Sequence, residues 1–142
     1  IGAVPGGQFV EPTIFTDVDN TMRIAREEVF GPVVVLAPFK DFAQALEMAN
    51  DTAYGLQAGV FTKDLAHAWQ AFETLEVGGV IINDSPTFRV DHMPYGGVKA
   101  SGFGREGLRY AIEEMSELKL LTFNQDNSLA QIWGVPREFG IP

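Results

Sequence analysis

An α/β fold, with a parallel-type sheet and covering helices, follows from three observations. Short apolar runs rich in β-branched residues, Val33-Val34-Val35-Leu36 and Val80-Ile81-Ile82, are too short for helices and read as buried strands. Segments with helical apolar spacing lie between such runs, separated by Gly, Pro and Asp breaks. The resulting order, strand–helix–strand–helix–strand with continuous apolar strands, is that of parallel sheets buried under helices.

The elements follow along the chain. Gly2 to Gly7 is Gly/Pro-rich and reads as a loop, and a short strand around Phe9–Phe15 is interrupted by Pro12. The strand Val33–Pro38 comes next, entered through the Gly31-Pro32 corner, where proline locks φ and removes a donor. Asp41 has Gln44 three residues on, the capping-box spacing, and Phe42, Ala45, Leu46 and Ala49 recur at helical intervals. This predicts an amphipathic helix over Asp41–Asp51. A strand over Ala58–Thr62 follows the Tyr54-Gly55 break. Asp64 caps a second helix, whose stripe of Leu65, Ala68, Trp69, Phe72 and Leu75 is expected to face the core and leave His67 toward solvent. Gly78-Gly79 ends it. The strand Val80–Ile82 delivers Asn83 at its carboxyl end, where ligands of such sheets bind, followed by a long aperiodic loop over Asp84–Gly104. A third helix, Glu106–Met115, leads into a strand over Leu118–Phe123. The tail Asn124–Pro142 has no clear period and is unassigned.

Composition removes whole classes of function. The 142 residues are enough for one domain, and 46% hydrophobic with 20% charged residues is ordinary for a globular chain. A net charge of −9 disfavours nucleic acid and anionic membrane as partners. There is no cysteine, hence no disulfide, thiolate nucleophile or thiolate metal site. His67 and His92 lie far apart without a metal-binding spacing, so no metal site is expected. No apolar run has the length of a membrane span, and a cytoplasmic setting is expected. The chain opens at Ile1 rather than Met, which leaves open an address carried upstream.

Two motifs compete for a nucleotide. Gly102-Phe103-Gly104-Arg105-Glu106-Gly107 matches GxGxxG, and Asp126 lies near the ribose-acid spacing. That fingerprint needs a strand directly before its first glycine, but a Gly/Pro loop, Met93 to Ser101, precedes it here. The glycines read as loop geometry and close packing. Glu27-Glu28-Val29-Phe30-Gly31-Pro32 is the better candidate. A carboxylate there can accept hydrogen bonds from a sugar diol while an aromatic ring packs on a flat heterocycle. On spacing alone, a surface acidic pair beside a core Phe is the commoner meaning.

Taken with Asn83, Pro94-Tyr95-Gly96-Gly97-Val98-Lys99, Ser101-Gly102 and Gly104-Arg105-Glu106, in that order, this motif closely resembles the C-terminal part of the aldehyde dehydrogenase superfamily. The resemblance runs from about Gly7 to Phe123. It implies a partial catalytic domain over 1–123, including an oligomerisation strand at 118–123 that adds to a neighbouring subunit's sheet, and NAD or NADP as cofactor. It also implies that Glu28 holds the nicotinamide ribose hydroxyls and Phe30 packs beside the nicotinamide. Asn83 matches a position near the active site, and Phe88 and Tyr95 match positions lining the aldehyde pocket.

The family's chemistry starts with a cysteine thiolate, which this chain lacks. The resemblance therefore implies one wall of an active site, no catalytic residue within it, and an isolated chain that oxidises no aldehyde. The missing N-terminal portion of the enzyme is then its partner, along with an aldehyde and further copies of itself.

Within the family, Phe88-Arg89-Val90-Asp91-His92-Met93-Pro94-Tyr95 is similar to members acting on small oxygenated or anionic aldehydes, such as lactaldehyde or phosphonoacetaldehyde. Arg89 can pair with a substrate anion in a fork, or it can pair with Asp91 or another local carboxylate and hold the loop. His92 reads as a loop residue. Lys99 and Arg105 read as loop braces through carbonyl or carboxylate contacts, and Glu106 as a charge at a helix start. Two rival readings are a non-catalytic self-association module derived from this family and a small nucleotide-binding domain built on Glu28 and Phe30 alone.

Overall fold

The computed structural model describes residues 7–123. The expected Gly2–Gly7 loop, apart from Gly7, together with Asp126 and the tail from Asn124, lies outside these residues. Ten elements follow in order: β1 (Thr13–Phe15), α1 (Arg23–Arg26), β2 (Val33–Val35), α2 (Phe42–Asn50), β3 (Tyr54–Gly55), β4 (Gln57–Val60), α3 (Leu65–Thr74), β5 (Gly79–Ile82), β6 (Val98–Lys99) and α4 (Leu108–Glu114). The α/β class is as expected.

The strands form three separate pairs rather than one continuous sheet. β1 pairs with β2 in parallel, Thr13 opposite Val33, with α1 in the crossover. β4 pairs with β5 in parallel from Gln57 opposite Gly79 to Val60 opposite Ile82, with α3 in the crossover. β3 and β6 are antiparallel, Tyr54 opposite Lys99. That last pair was not legible in sequence, because two-residue strands carry no period.

Local chemistry explains where the helices begin. The Asp41 Oδ1 accepts from Gln44 N–H at 2.9 Å, and the Gln44 Oε1 accepts from Lys40 N–H at 2.7 Å. This is a capping box shifted by one residue, since the glutamine reaches past the cap. At α3, Asp64 Oδ1 accepts from Ala66 N–H at 2.8 Å. α4 begins two residues later than expected, because Gly107 takes φ +111° and Glu106 is tied into a bridge with Tyr95.

The core lies between α2, α3 and the β4–β5 pair. Leu46, Ala71 and Leu75 are buried, with Phe42, Ala58, Val60, Val77 and Val80 packed on them. The Asn50 side chain bolts the two helix ends together. Its Nδ2 donates to Thr74 O at 2.8 Å and its Oδ1 accepts from Glu76 N–H at 2.8 Å. The Thr74 carbonyl is one of the groups that a helix C-terminus otherwise leaves unsatisfied.

Four expectations are corrected. α3 turns Ala71 and Leu75 inward, while Leu65, Trp69 (59% exposed) and Phe72 (64% exposed) face outward over β5. With Ala68, Val80 and Ile82 they line an open groove of about 330 Å³. The helix carries two apolar faces, and α2 covers only one of them. His67, expected in solvent, is half-buried and stacked on Phe42 with ring centroids 4.4 Å apart. The strand at Val33–Val35, expected to be buried, leaves Val34 and Val35 exposed. Leu118–Phe123 pairs with no strand among the described residues, and Leu118, Leu120, Leu121 and Phe123 are exposed. A segment with strand-like composition becomes a strand only where a neighbour supplies the ladder.

Gly78 marks the tightest approach. Its N–H donates to Leu56 O at 3.0 Å, and a Cβ there would lie 1.6 Å from Gly96 O. At Gly31 the nearest atom to an added Cβ is Val29 Cγ1 at 4.0 Å. Gly78→Ala is therefore expected to cost about 3 kcal/mol or more, and Gly31→Ala about 1 kcal/mol or less. Urea unfolding of the two variants beside the parent chain checks the contrast; equal midpoints would contradict it.

Candidate functional site

Glu28 follows the short helix α1, whose position is set by contacts to the far end of α2. Arg26 Nη2 reaches Asp51 Oδ2 at 3.1 Å, and Asn20 Nδ2 donates to Met48 O at 3.0 Å. Arg23 Nε engages Glu27 Oε2 at 2.7 Å. Among the described residues, no ion pair or hydrogen bond takes up the Glu28 carboxylate. The two glutamates thus differ although they are adjacent: one is consumed locally and the other remains available.

Glu28 lines two depressions. One, of about 670 Å³, runs past Thr52, Gln57, Leu75 and Ser101. The other, of about 540 Å³, is shared with Val29 and with Phe30, whose ring is 94% exposed. The corner behind them is tight: Gly31 N–H donates to Val29 O and Val33 N–H to Gly31 O, both at 2.8 Å. An uncommitted carboxylate and a bare aromatic face therefore stand on one trough, ahead of a fixed strand.

The second half of the site hangs from the carboxyl ends of β4 and β5. Asn83 N–H continues the ladder to Val60 O at 2.8 Å, and Asn83 Oδ1 accepts from Thr62 N–H at 2.8 Å. Its φ of +60° is left-handed, where asparagine is among the more tolerated residues. The loop that follows is short-wired: Asp84 Oδ1 accepts from Ser85 N–H, and Phe88 N–H donates to Ser85 O. Gln57 connects the two halves. It lines the Glu28 depression, and its Nε2 donates to Phe88 O at 3.3 Å.

Arg89 and Tyr95 meet directly. The Arg89 guanidinium lies over the Tyr95 ring, with Cζ 4.3 Å from the centroid. Its Nη2 contacts Glu106 Oε2 at 2.6 Å. Asp91 is not its partner. The pairing of Arg89 with Glu106 is a contact that sequence spacing did not reveal, because 17 residues separate them. His92 is exposed on the same loop.

The glycine-rich segment is braced as expected. Lys99 Nζ reaches Glu76 Oε2 at 2.6 Å and Asn50 O at 2.9 Å. Arg105 Nη1 donates to Gly97 O at 3.0 Å and Gly104 O at 2.7 Å. Arg105 N–H is taken by Glu114 Oε1 at 3.0 Å, and the same carboxylate sits where a Cβ on Gly104 would go. A carboxylate thus occupies the place where a dinucleotide fingerprint would offer N–H groups to a phosphate. Among the described residues, two clear ionisation shifts occur, both away from the site. Asp19 is held below the ordinary range, chiefly by the Thr21 hydroxyl, and Arg109 is raised by Glu113.

Comparison with known proteins settles the family. The model of the Aldehyde dehydrogenase family matches residues 3–121. The chain belongs to that family. It is 50% identical over 124 residues to 3-sulfolactaldehyde dehydrogenase of Priestia aryabhattai, covering 87% of this chain and 26% of that protein. Aldehyde dehydrogenase 21 of Physcomitrella patens, solved with the reaction product succinate, is 55% identical with a TM-score of 0.74. That match covers 77% of this chain and 23% of the other. Glyceraldehyde-3-phosphate dehydrogenase GapN of Methanocaldococcus jannaschii, solved with NADP, is 46% identical with a TM-score of 0.71, covering 76% and 23%. The chain spans about a quarter of the length of the relatives it matches.

Proposed function

We propose that this chain forms the cofactor-ribose and aldehyde-entry wall of an NAD- or NADP-dependent aldehyde dehydrogenase that oxidises a small anionic or oxygenated aldehyde to its acid. The observation that carries the cofactor part is the Glu28 carboxylate, uncommitted among the described residues and set on one trough with the bare Phe30 ring. A carboxylate accepts both hydroxyls of a ribose, and an aromatic face packs against a nicotinamide. The residues present fit that half of the dinucleotide; the brace around Arg105 shows no cradle for its phosphates. When bound, the nicotinamide supplies hydride acceptance. Glu28 and Phe30 orient it, and Asn83, Phe88, Arg89 and Tyr95 shape the approach of the aldehyde.

The substrate class rests on Arg89, the cation of the aldehyde loop, and on relatives whose names carry a sulfonated aldehyde, a dicarboxylate product and a phosphorylated aldehyde. The uncovered groove over α3 and β5, with no cysteine in the chain, suits a piece that packs against the rest of a catalytic domain. The exposed Leu118–Phe123 segment suits a strand completed by a neighbouring subunit. The rival reading, a non-catalytic self-association module, would use that segment alone and leave Glu28 without a role.

Three measurements test this reading. The purified 142-residue chain is expected to show no NAD- or NADP-dependent oxidation of any aldehyde; turnover by it would overturn the partial-site reading. In a complete dehydrogenase carrying this segment, Glu28→Gln is expected to raise the cofactor KM about tenfold, the effect of losing a charge-assisted hydrogen bond. An unchanged cofactor KM would remove Glu28 from the ribose. In the same enzyme, Arg89→Ala is expected to lower the kcat/KM ratio of 3-sulfolactaldehyde over propanal about tenfold or more. An unchanged ratio would remove the anion subsite.

A further inference from the structure

The contacts of Arg89 have a common origin. Tyr95 N–H donates to Glu106 O at 3.1 Å, and Glu106 N–H donates to Tyr95 O at 2.6 Å. The pair forms an isolated antiparallel bridge, and both of its side chains grip Arg89. The tyrosine ring takes one face of the guanidinium at 4.3 Å, and the glutamate takes Nη2 at 2.6 Å. Among the described residues, Nε and Nη1 of Arg89 have no hydrogen-bond acceptor. The guanidinium is thus held on a face and an edge while a second edge, with donors in a fixed fork, is left open.

We infer that the Tyr95–Glu106 bridge is the positioning device that makes Arg89 selective for anionic aldehydes, Tyr95 fixing the plane of the guanidinium and Glu106 its rotation. This rests on the anion subsite proposed above. A free arginine side chain must give up rotamer entropy to present a fork, and one already stacked and paired has given most of it up before substrate arrives. Arg89 has a side chain 45% exposed, so its ion pair alone is a weak restraint. The ring beneath it is what turns a surface arginine into a directed one. Gly96 and Gly97 follow Tyr95 directly, and Arg105, next to Glu106, is hydrogen-bonded to Gly97 O. A further hydrogen bond thus ties together the two segments that form the bridge.

The test compares KM for 3-sulfolactaldehyde and for propanal in the complete dehydrogenase carrying this segment. Tyr95→Leu is expected to raise the KM ratio, anionic over neutral, about threefold to tenfold, as loss of a stacked cation predicts. The kcat ratio should move much less. Tyr95→Phe keeps the ring and is expected to restore a ratio near that of the parent. Glu106→Gln, which keeps ring and bridge, is expected to raise it about threefold, the size of a partly exposed ion pair. Loss in Tyr95→Phe equal to that in Tyr95→Leu, or an unchanged ratio in both Tyr95→Leu and Glu106→Gln, would overturn the positioning role. If Arg89→Ala changes the ratio while those two do not, only this inference falls. If Arg89→Ala also leaves it unchanged, the anion subsite itself falls.

Discussion

The parallel ladder between β4 and β5 is the constraint on which the rest of the molecule depends. Its register sets Gln57 opposite Gly79 and Val60 opposite Ile82, and one more hydrogen bond, Asn83 N–H to Val60 O, carries it past the last strand residue. The Asn83 half of the candidate site hangs from that end. Asn83 turns the chain in a left-handed conformation, its side chain clamps Thr62 N–H, and the loop bearing Phe88 and Arg89 departs from there. Gln57 then fastens the loop to the sheet through Phe88 O. A slip of one residue would turn every one of these side chains to the opposite face. The close approach of Gly78 to Gly96 makes such a slip sterically costly as well.

Burial within the chain is too thin to account for this geometry alone. Among the described residues only Val18, Leu46, Ala71 and Leu75 are buried apolar side chains. Large apolar groups on α3, β2 and the 118–123 segment face outward. Polar bolts carry much of the local order instead: Asn50 between two helix ends, Lys99 onto Glu76 and Asn50, Arg105 onto Gly97. Such bonds fix direction more than they add stability, each contributing about 1 kcal/mol net. In this segment, which spans about a quarter of its relatives' length, the loops around the candidate site are wired internally while large apolar faces stay exposed.

What could be read in the sequence follows the range of the forces involved. The helices at Phe42 and Leu65 were legible because their caps act over two or three residues, and Asp41 and Asp64 do cap them. The parallel unit was legible from its β-branched runs. Facing was not: the periodicity of α3 showed an apolar stripe, but which of its two apolar faces meets α2 depends on a helix twenty residues away. The same dependence holds for His67, whose helical position points to solvent but which stacks on Phe42. The pair β3–β6 and the bridge between Tyr95 and Glu106 were invisible, since one or two residues cannot display a period of two. At the site, motif order identified the family, whereas the partner of Arg89 emerged only from the fold.

Those differences bear on how selectivity is built in a loop. Arg89 read alone was an ambiguous cation, equally suited to a ligand or a local carboxylate. The structure shows it in contact with a carboxylate, yet that contact does not exhaust it, because a guanidinium has five donors in a fixed fork and Glu106 uses one edge. Local pairing and a ligand role are therefore compatible at this residue. The same logic separates Glu27 from Glu28. Glu27 is taken by Arg23, and by occupying that arginine it leaves its neighbour's carboxylate without a local cation. In both places a local ion pair of small energetic worth leaves donors or acceptors beside it unengaged among the described residues.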